Sequence, residues 1–149
     1  MNKSSNIQNR KIKLLAASRL IYRFDEQCSF DEIYERALRC YEILLDVFES
    51  PDTSKEISEL IKLPELKIKR HAEAIIERLL FNKENDPYIS FGMERYANLD
   101  DISRRWKRLM MLYHPDKYSD KVKYEEKAKK INEAYGKNMD VWRRWKNRR

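Results

Sequence analysis

Tyr113-His114-Pro115-Asp116-Lys117 is the stretch on which the reading of this chain turns. Pro115 has no N–H and a fixed φ, so a helix arriving at Tyr113 must stop, and His114 is biased towards extended backbone. Upstream, Ile102, Trp106, Leu109, Met110 and Tyr113 recur on one helical face, while Arg104, Arg105, Lys107 and Arg108 occupy much of the rest. Downstream, a helix begins near Val122 and carries Tyr124, Ala128, Ile131 and Tyr135 at intervals of four, three and four. Two amphipathic helices joined by a short polar loop bury their apolar faces by packing antiparallel. That arrangement presents His114 and Asp116 in a loop at the end of a basic helix.

The composition agrees with helices throughout. The 149 residues are 42% hydrophobic and 38% charged, with two Gly and four Pro. Sandwiches and barrels need many tight turns, and turns draw on Gly and Pro. With only Gly92 and Gly136 available, neither a GxxxxGK[ST] nor a GxGxxG phosphate loop can be written. The formal charge of +7 is unevenly placed. Residues 1–99 hold 16 basic and 17 acidic side chains, whereas residues 100–149 hold 16 basic and 8 acidic ones. A basic block of this kind attracts an acidic partner, whether a nucleic acid, a membrane surface or an acidic protein face.

Cys28 and Cys40 lie in no CxxC and have no His nearby, so reduced thiols are expected in place of a disulfide or a metal site. No cofactor is implied. The longest apolar run, Leu109 to Tyr113, is too short to span a membrane. Residues 1–24 contain no acid but carry Lys3, Arg10, Lys11, Lys13, Arg19 and Arg23, a pattern shared by organellar transit peptides. The regular stripe Leu14, Ala17, Ile21 and Phe24 favours a basic first helix packed on a core over a transit peptide; a cytoplasmic location and a monomeric chain are expected.

Further helices follow. Ser29 with Glu32 forms a capping box, opening a helix to about Glu49 with Ile33, Ala37, Cys40 or Tyr41, Leu44 and Phe48 inward. Pro51 and Asp52 break it. Thr53 with Glu56 reads as a second capping box, opening a short helix from Ser54 to Lys62, and Pro64 opens another in its first turn. The polar stretch Asn82 to Pro87 is the expected boundary, giving an N-terminal helical bundle over 1–85 and a second domain over 86–149. Residues 52–81, with Lys67, Lys69 and Arg70 early in the longer helix, also have the outline of a helix-turn-helix, although this half of the chain has no net positive charge.

The C-terminal half resembles the J-domain, the module of DnaJ-type co-chaperones. Tyr113-His114-Pro115-Asp116-Lys117 and Ile131-Asn132-Glu133-Ala134-Tyr135 look like its two signatures at about the right separation, and Tyr88-Ile89-Ser90-Phe91-Gly92 is similar to its first helix. An isolated His-Pro-Asp arises by chance in about one chain of this length in a hundred, but not with both flanking signatures. The connection Arg95-Tyr96-Ala97-Asn98-Leu99-Asp100 resembles the HscB-type iron–sulfur branch, in which the domain order is the reverse of that found here. The resemblance covers residues 86 to about 140. It implies an antiparallel hairpin of the second and third J-domain helices. It also implies binding to the ATP-bound form of a DnaK-type chaperone through His114, Pro115, Asp116, Lys117, Tyr113, Arg104, Arg105, Lys107, Arg108 and Asn132, with the chemistry performed by that partner.

Three departures stand out. Ala128 replaces a large aromatic, and Trp106 with the Met110–Met111 pair is expected to fill the space. Asn138-Met139-Asp140 replaces the usual end of the third helix, and only Val141 to Arg149 represents a fourth. No Cys-rich or Gly/Phe-rich client segment follows, so client binding or targeting falls to residues 1–85. Trp142-Arg143-Arg144-Trp145-Lys146-Asn147-Arg148-Arg149 mixes cations with aromatics. It reads either as a final helix, with Trp142 and Trp145 capping the core, or as a nucleic-acid contact.

Overall fold

Seven helices make up the computed structural model, which describes residues 3–95, 97–114 and 120–147, without the side chains of residues 3–6 and of Trp145. They are α1 (Lys3–Arg23), α2 (Phe30–Glu49), α3 (Pro51–Ile61), α4 (Glu65–Leu80), α5 (Pro87–Ser90), α6 (Leu99–Tyr113) and α7 (Lys121–Asn147). No strand occurs among the described residues. The fold is all-α, as the scarcity of Gly and Pro requires. The chain divides into two compact units, Met1–Arg78 and Leu79–Arg149.

In the first unit, α1 buries Leu14, Ala17, Leu20 and Ile21 against α2. Ser29 caps α2, its Oγ accepting from the Glu32 N–H at 3.3 Å, while the Glu32 carboxylate pairs with Arg36 one turn on. Cys40 lies on the buried face, where loss of hydration pushes its thiol up to about 12. Cys28 is half-buried, and both thiols are free. The second capping box does not form. Pro51 itself takes the first helical position of α3 after Ser50, since its fixed φ is ready-made for a helix start. Thr53 therefore falls inside α3, where it is buried and accepts from Arg10.

The joint between α3 and α4 is three residues long. Lys62 adopts left-handed backbone (φ 58°, ψ 40°), and its N–H closes on the Ser58 carbonyl. Ser58 Oγ donates to the Leu63 carbonyl at 2.6 Å, and Ser54 Oγ donates to Glu65 Oε1 at 3.0 Å. Pro64 stands just before α4, its carbonyl accepting from the Lys67 and Ile68 N–H groups. Ile68, Ala72, Ile75 and Ile76 of α4 are fully buried, and His71 Nδ1 donates to the Ile21 carbonyl at 2.8 Å.

The second unit begins with a polar stretch that is far from a loose linker. Buried Asn82 accepts from the Asp86 N–H through Oδ1 and donates through Nδ2 to the Leu79 carbonyl and to Ser90 Oγ. Asp86 then caps the four-residue α5, accepting from the Tyr88 and Ile89 N–H groups. No helix among the described residues is long and apolar enough to cross a membrane.

Candidate functional site

The hairpin of α6 and α7 is antiparallel, because partners on α7 fall in number as those on α6 rise. Ser103 Oγ lies 3.3 Å from Tyr135 Oη, Trp106 Nε1 donates to Asn132 Oδ1 at 2.8 Å, and the Tyr113 and Tyr124 rings stack at 6.2 Å. Trp106 also stacks on Tyr135 at 4.9 Å. Ile102, Leu109, Tyr113, Ala128, Ile131 and Ala134 form the dry seam. Of the residues expected to replace a missing aromatic beside Ala128, Trp106 packs on α7 and Met110 is half-buried, but Met111 does not contribute. It is 63% exposed, one helical position further round and facing solvent.

Both ends of α6 are fixed by sequence. Asn98 caps its start, accepting from the Asp101 N–H at 2.9 Å, with Asp100 and Asp101 in the positive first turn. At the other end, His114 is extended (φ −64°, ψ 125°), as a residue before proline must be, and exposed. Pro115, Asp116 and Lys117 lie outside the described residues, as do Tyr96 of the α5–α6 connection and Arg148 and Arg149 at the end of the chain. The two helices deliver the chain into and out of residues 115–119 over a paired, aromatic-lined base.

The four cations of α6 divide in two. Arg104 and Lys107 are exposed, one helical turn apart. Arg105 is half-buried, its guanidinium donating to the Phe91 carbonyl at 2.5 Å and to the Gly92 carbonyl at 3.5 Å, so it braces the turn after α5. Arg108 is half-buried too. Asn132 is exposed and accepts from Trp106 at the edge of the hairpin. The outward row towards His114 is thus Arg104, Lys107 and Met111. Met111 could have been found from its spacing of four from Lys107. A second residue hidden from the sequence reading is Lys127. It is 6% exposed, with its ammonium 5.4 Å from the Tyr113 ring centroid and 5.0 Å from that of Tyr124, clamping the base of the loop.

The third and fourth helices of the expected arrangement are one continuous helix. α7 runs through Gly136, Asn138 and Asp140 without a break. Asn138 is fully buried and its Nδ2 donates to the Pro87 carbonyl at 3.2 Å, which pins α7 to α5. Trp142 is half-buried, with Lys146 over its ring at 5.0 Å. Among the described residues no group of three or more His, Cys, Asp or Glu side chains is placed to hold a metal ion.

Comparison with known proteins converges on the same segment. The family model of the DnaJ domain matches residues 86–140. The chain is 42% identical over 52 residues to a chaperone protein DnaJ of Chlorobaculum tepidum, covering 35% of this chain and 13% of that protein. It is 34% identical over 68 residues to DnaJ homolog subfamily C member 5 of Tetronarce californica, covering 46% and 35%. Similarity to the human DnaJ homolog subfamily C member 7 is 30% over 115 residues, covering 73% of this chain and 20% of that protein. That match is longer than residues 86–149, so it runs back into the N-terminal helices. The chain spans only a minor part of each of these relatives. No solved structure gives a significant match. With its paired helices, its capped α6 and its extended His114, the segment 86–140 is the part of this chain that matches the DnaJ domain.

Proposed function

We infer that this protein is a co-chaperone that binds a DnaK-type chaperone and stimulates its ATP hydrolysis. The observation that carries this reading is the exposed, extended His114 at the end of α6, in line with the exposed cations Arg104 and Lys107. Unpaired surface cations of one sign raise the encounter rate with an acidic face and set its orientation, while contributing modestly to the final affinity. Met111 adds apolar area next to them. Once docked, His114 and Asp116 supply short-range polar contacts to the partner, and Lys127 with the Tyr113 and Tyr124 rings keeps the loop base rigid. Bond making and breaking belong to the partner. The helices of residues 1–85 serve as the client or targeting module.

The test is steady-state ATP hydrolysis by a DnaK-type chaperone with and without the purified full chain. The wild-type chain raises the rate, and His114→Gln abolishes the increase with an unchanged far-ultraviolet circular dichroism spectrum. A His114→Gln protein that stimulates as well as wild type would overturn the mechanism.

A further inference from the structure

The N-terminal unit holds a second feature that the J-domain reading does not absorb. α3, the three-residue joint Lys62–Pro64 and α4 match the construction of a helix-turn-helix, in which two helices are joined by a tight turn of three or four residues. The turn is closed from within by the left-handed Lys62 and by Ser58 Oγ on the Leu63 carbonyl, so it is a defined joint. The small side chain at Ser58 lets the chain fold back closely at that point.

The faces of α4 are sharply divided. Ile68, Ala72, Ile75, Ile76 and Leu79 are fully buried, whereas Leu66, Lys67, Lys69 and Arg70 in its first two turns are exposed. Lys67, Lys69 and Arg70 form no ion pair among the described residues, unlike Arg10, Lys13 and Arg36, which pair with Glu56, Glu42 and Glu32; exposed Lys11, Arg19, Arg23, Arg39 and Lys55 share that unpaired state, but only the α4 cations cluster within four residues. The one acid in the same turns, Glu65, accepts from Ser54 across the joint. The end of α1 lies alongside. Tyr22, Asp25, Glu26, Lys67 and His71 line one cleft, and exposed Arg23 follows Tyr22. Near-zero net charge in this half of the chain therefore conceals a local excess of free cations at the start of α4.

We propose that α3 and α4 dock this protein on duplex DNA, with the first two turns of α4 entering the major groove. In that geometry the N-terminal residues of the second helix meet base edges, and the first helix crosses the backbone. Arg70 and the flanking Lys67 and Lys69 face phosphates and base edges, and exposed Leu66 offers apolar contact to a thymine methyl group. The J-domain then acts on whatever is assembled at that DNA. The proposal stands independently of chaperone stimulation.

The experiment is fluorescence anisotropy of the full chain with a labelled duplex two helical turns long, titrated across salt concentrations. Duplex binding is expected at low salt and weakens steeply as salt rises. The variant K67A/K69A/R70A, with an unchanged circular dichroism spectrum, binds about tenfold or more weaker at low salt. It also lowers the slope of log affinity against log salt by about 2.7, at about 0.9 for each phosphate no longer neutralised. K67R/K69R, which keeps both charges, binds the duplex as tightly as the wild-type chain, whereas K67A/K69A does not. Absence of duplex binding at low salt overturns the proposal. So does binding that survives K67A/K69A/R70A and disappears in R143A/R144A/K146A, which places the nucleic-acid interface on the end of α7. Tighter binding to an acidic polypeptide such as polyglutamate than to the duplex also overturns it, and makes the surface a protein-docking face.

Discussion

Two pairs of consecutive helices in this molecule are joined in opposite ways. The α3–α4 pair is joined by three residues whose polar groups are satisfied within the joint, by Lys62 on Ser58 and by Ser58 on Leu63. The Lys62 N–H and the Leu63 carbonyl are both bonded back to Ser58, and the flank of α4 beside them is exposed. The α6–α7 pair is joined by seven residues, His114 to Asp120, and among the described residues it is fixed by the Asn98 cap, by the Trp106–Asn132 bond and by the anchoring of Asn138 on Pro87. The short joint leaves a helix flank exposed, whereas the long connection opens on an exposed His114.

This contrast can be broken at the short joint. Proline at position 62 cannot adopt a φ of 58° and cannot donate to Ser58. Lys62→Pro is therefore expected to cost about 3 kcal/mol or more, read as a lower urea midpoint by circular dichroism. The other pair tolerates Pro115 within its natural connection. A small loss from Lys62→Pro would show that the joint is not the organiser of its pair.

A milder change sharpens the comparison from the other side. Asn98→Ala removes the cap of α6, remote from the loop, and is expected to cost about 1 kcal/mol. The loss is read as a lower urea midpoint by circular dichroism. The smallest effect is a gain. Lys62→Gly relieves the left-handed backbone of its side-chain penalty, for about 0.5–1 kcal/mol of added stability, measured as a raised thermal midpoint.

The legible parts of this fold were those whose signal is local. Ser29 caps α2 because an acceptor side chain before an amphipathic run has one obvious use, and His114 ends α6 because Pro115 allows nothing else. Misreadings arose where two local rules competed. Thr53 and Glu56 have capping-box spacing, but Pro51 begins the same helix earlier and carries Thr53 into its interior. Asn138-Met139-Asp140 stands where a third helix usually ends, yet α7 continues through it: Asn138 Nδ2 donates to the Pro87 carbonyl, and Gly136 in mid-helix costs only about 1 kcal/mol. The site was legible as His114 and the cations around it. Which cations are free was not, because Arg105 is drawn inward by carbonyls of the turn after α5, and no periodicity encodes that. Lys127 was invisible for a similar reason, since its ring partners come from two helices.

The unbroken run of α7 carries a mechanical consequence. At 27 residues it is about 40 Å long, nearly twice α6 at 15 residues and about 22 Å. Only the half nearest the loop is needed to cover α6. The remainder is a stiff outrigger, bolted at Asn138 and ending in Arg143, Arg144 and Lys146. Whatever holds that far end is kept at a fixed reach from His114. A partner engaged by both ends must therefore present its two surfaces at that spacing.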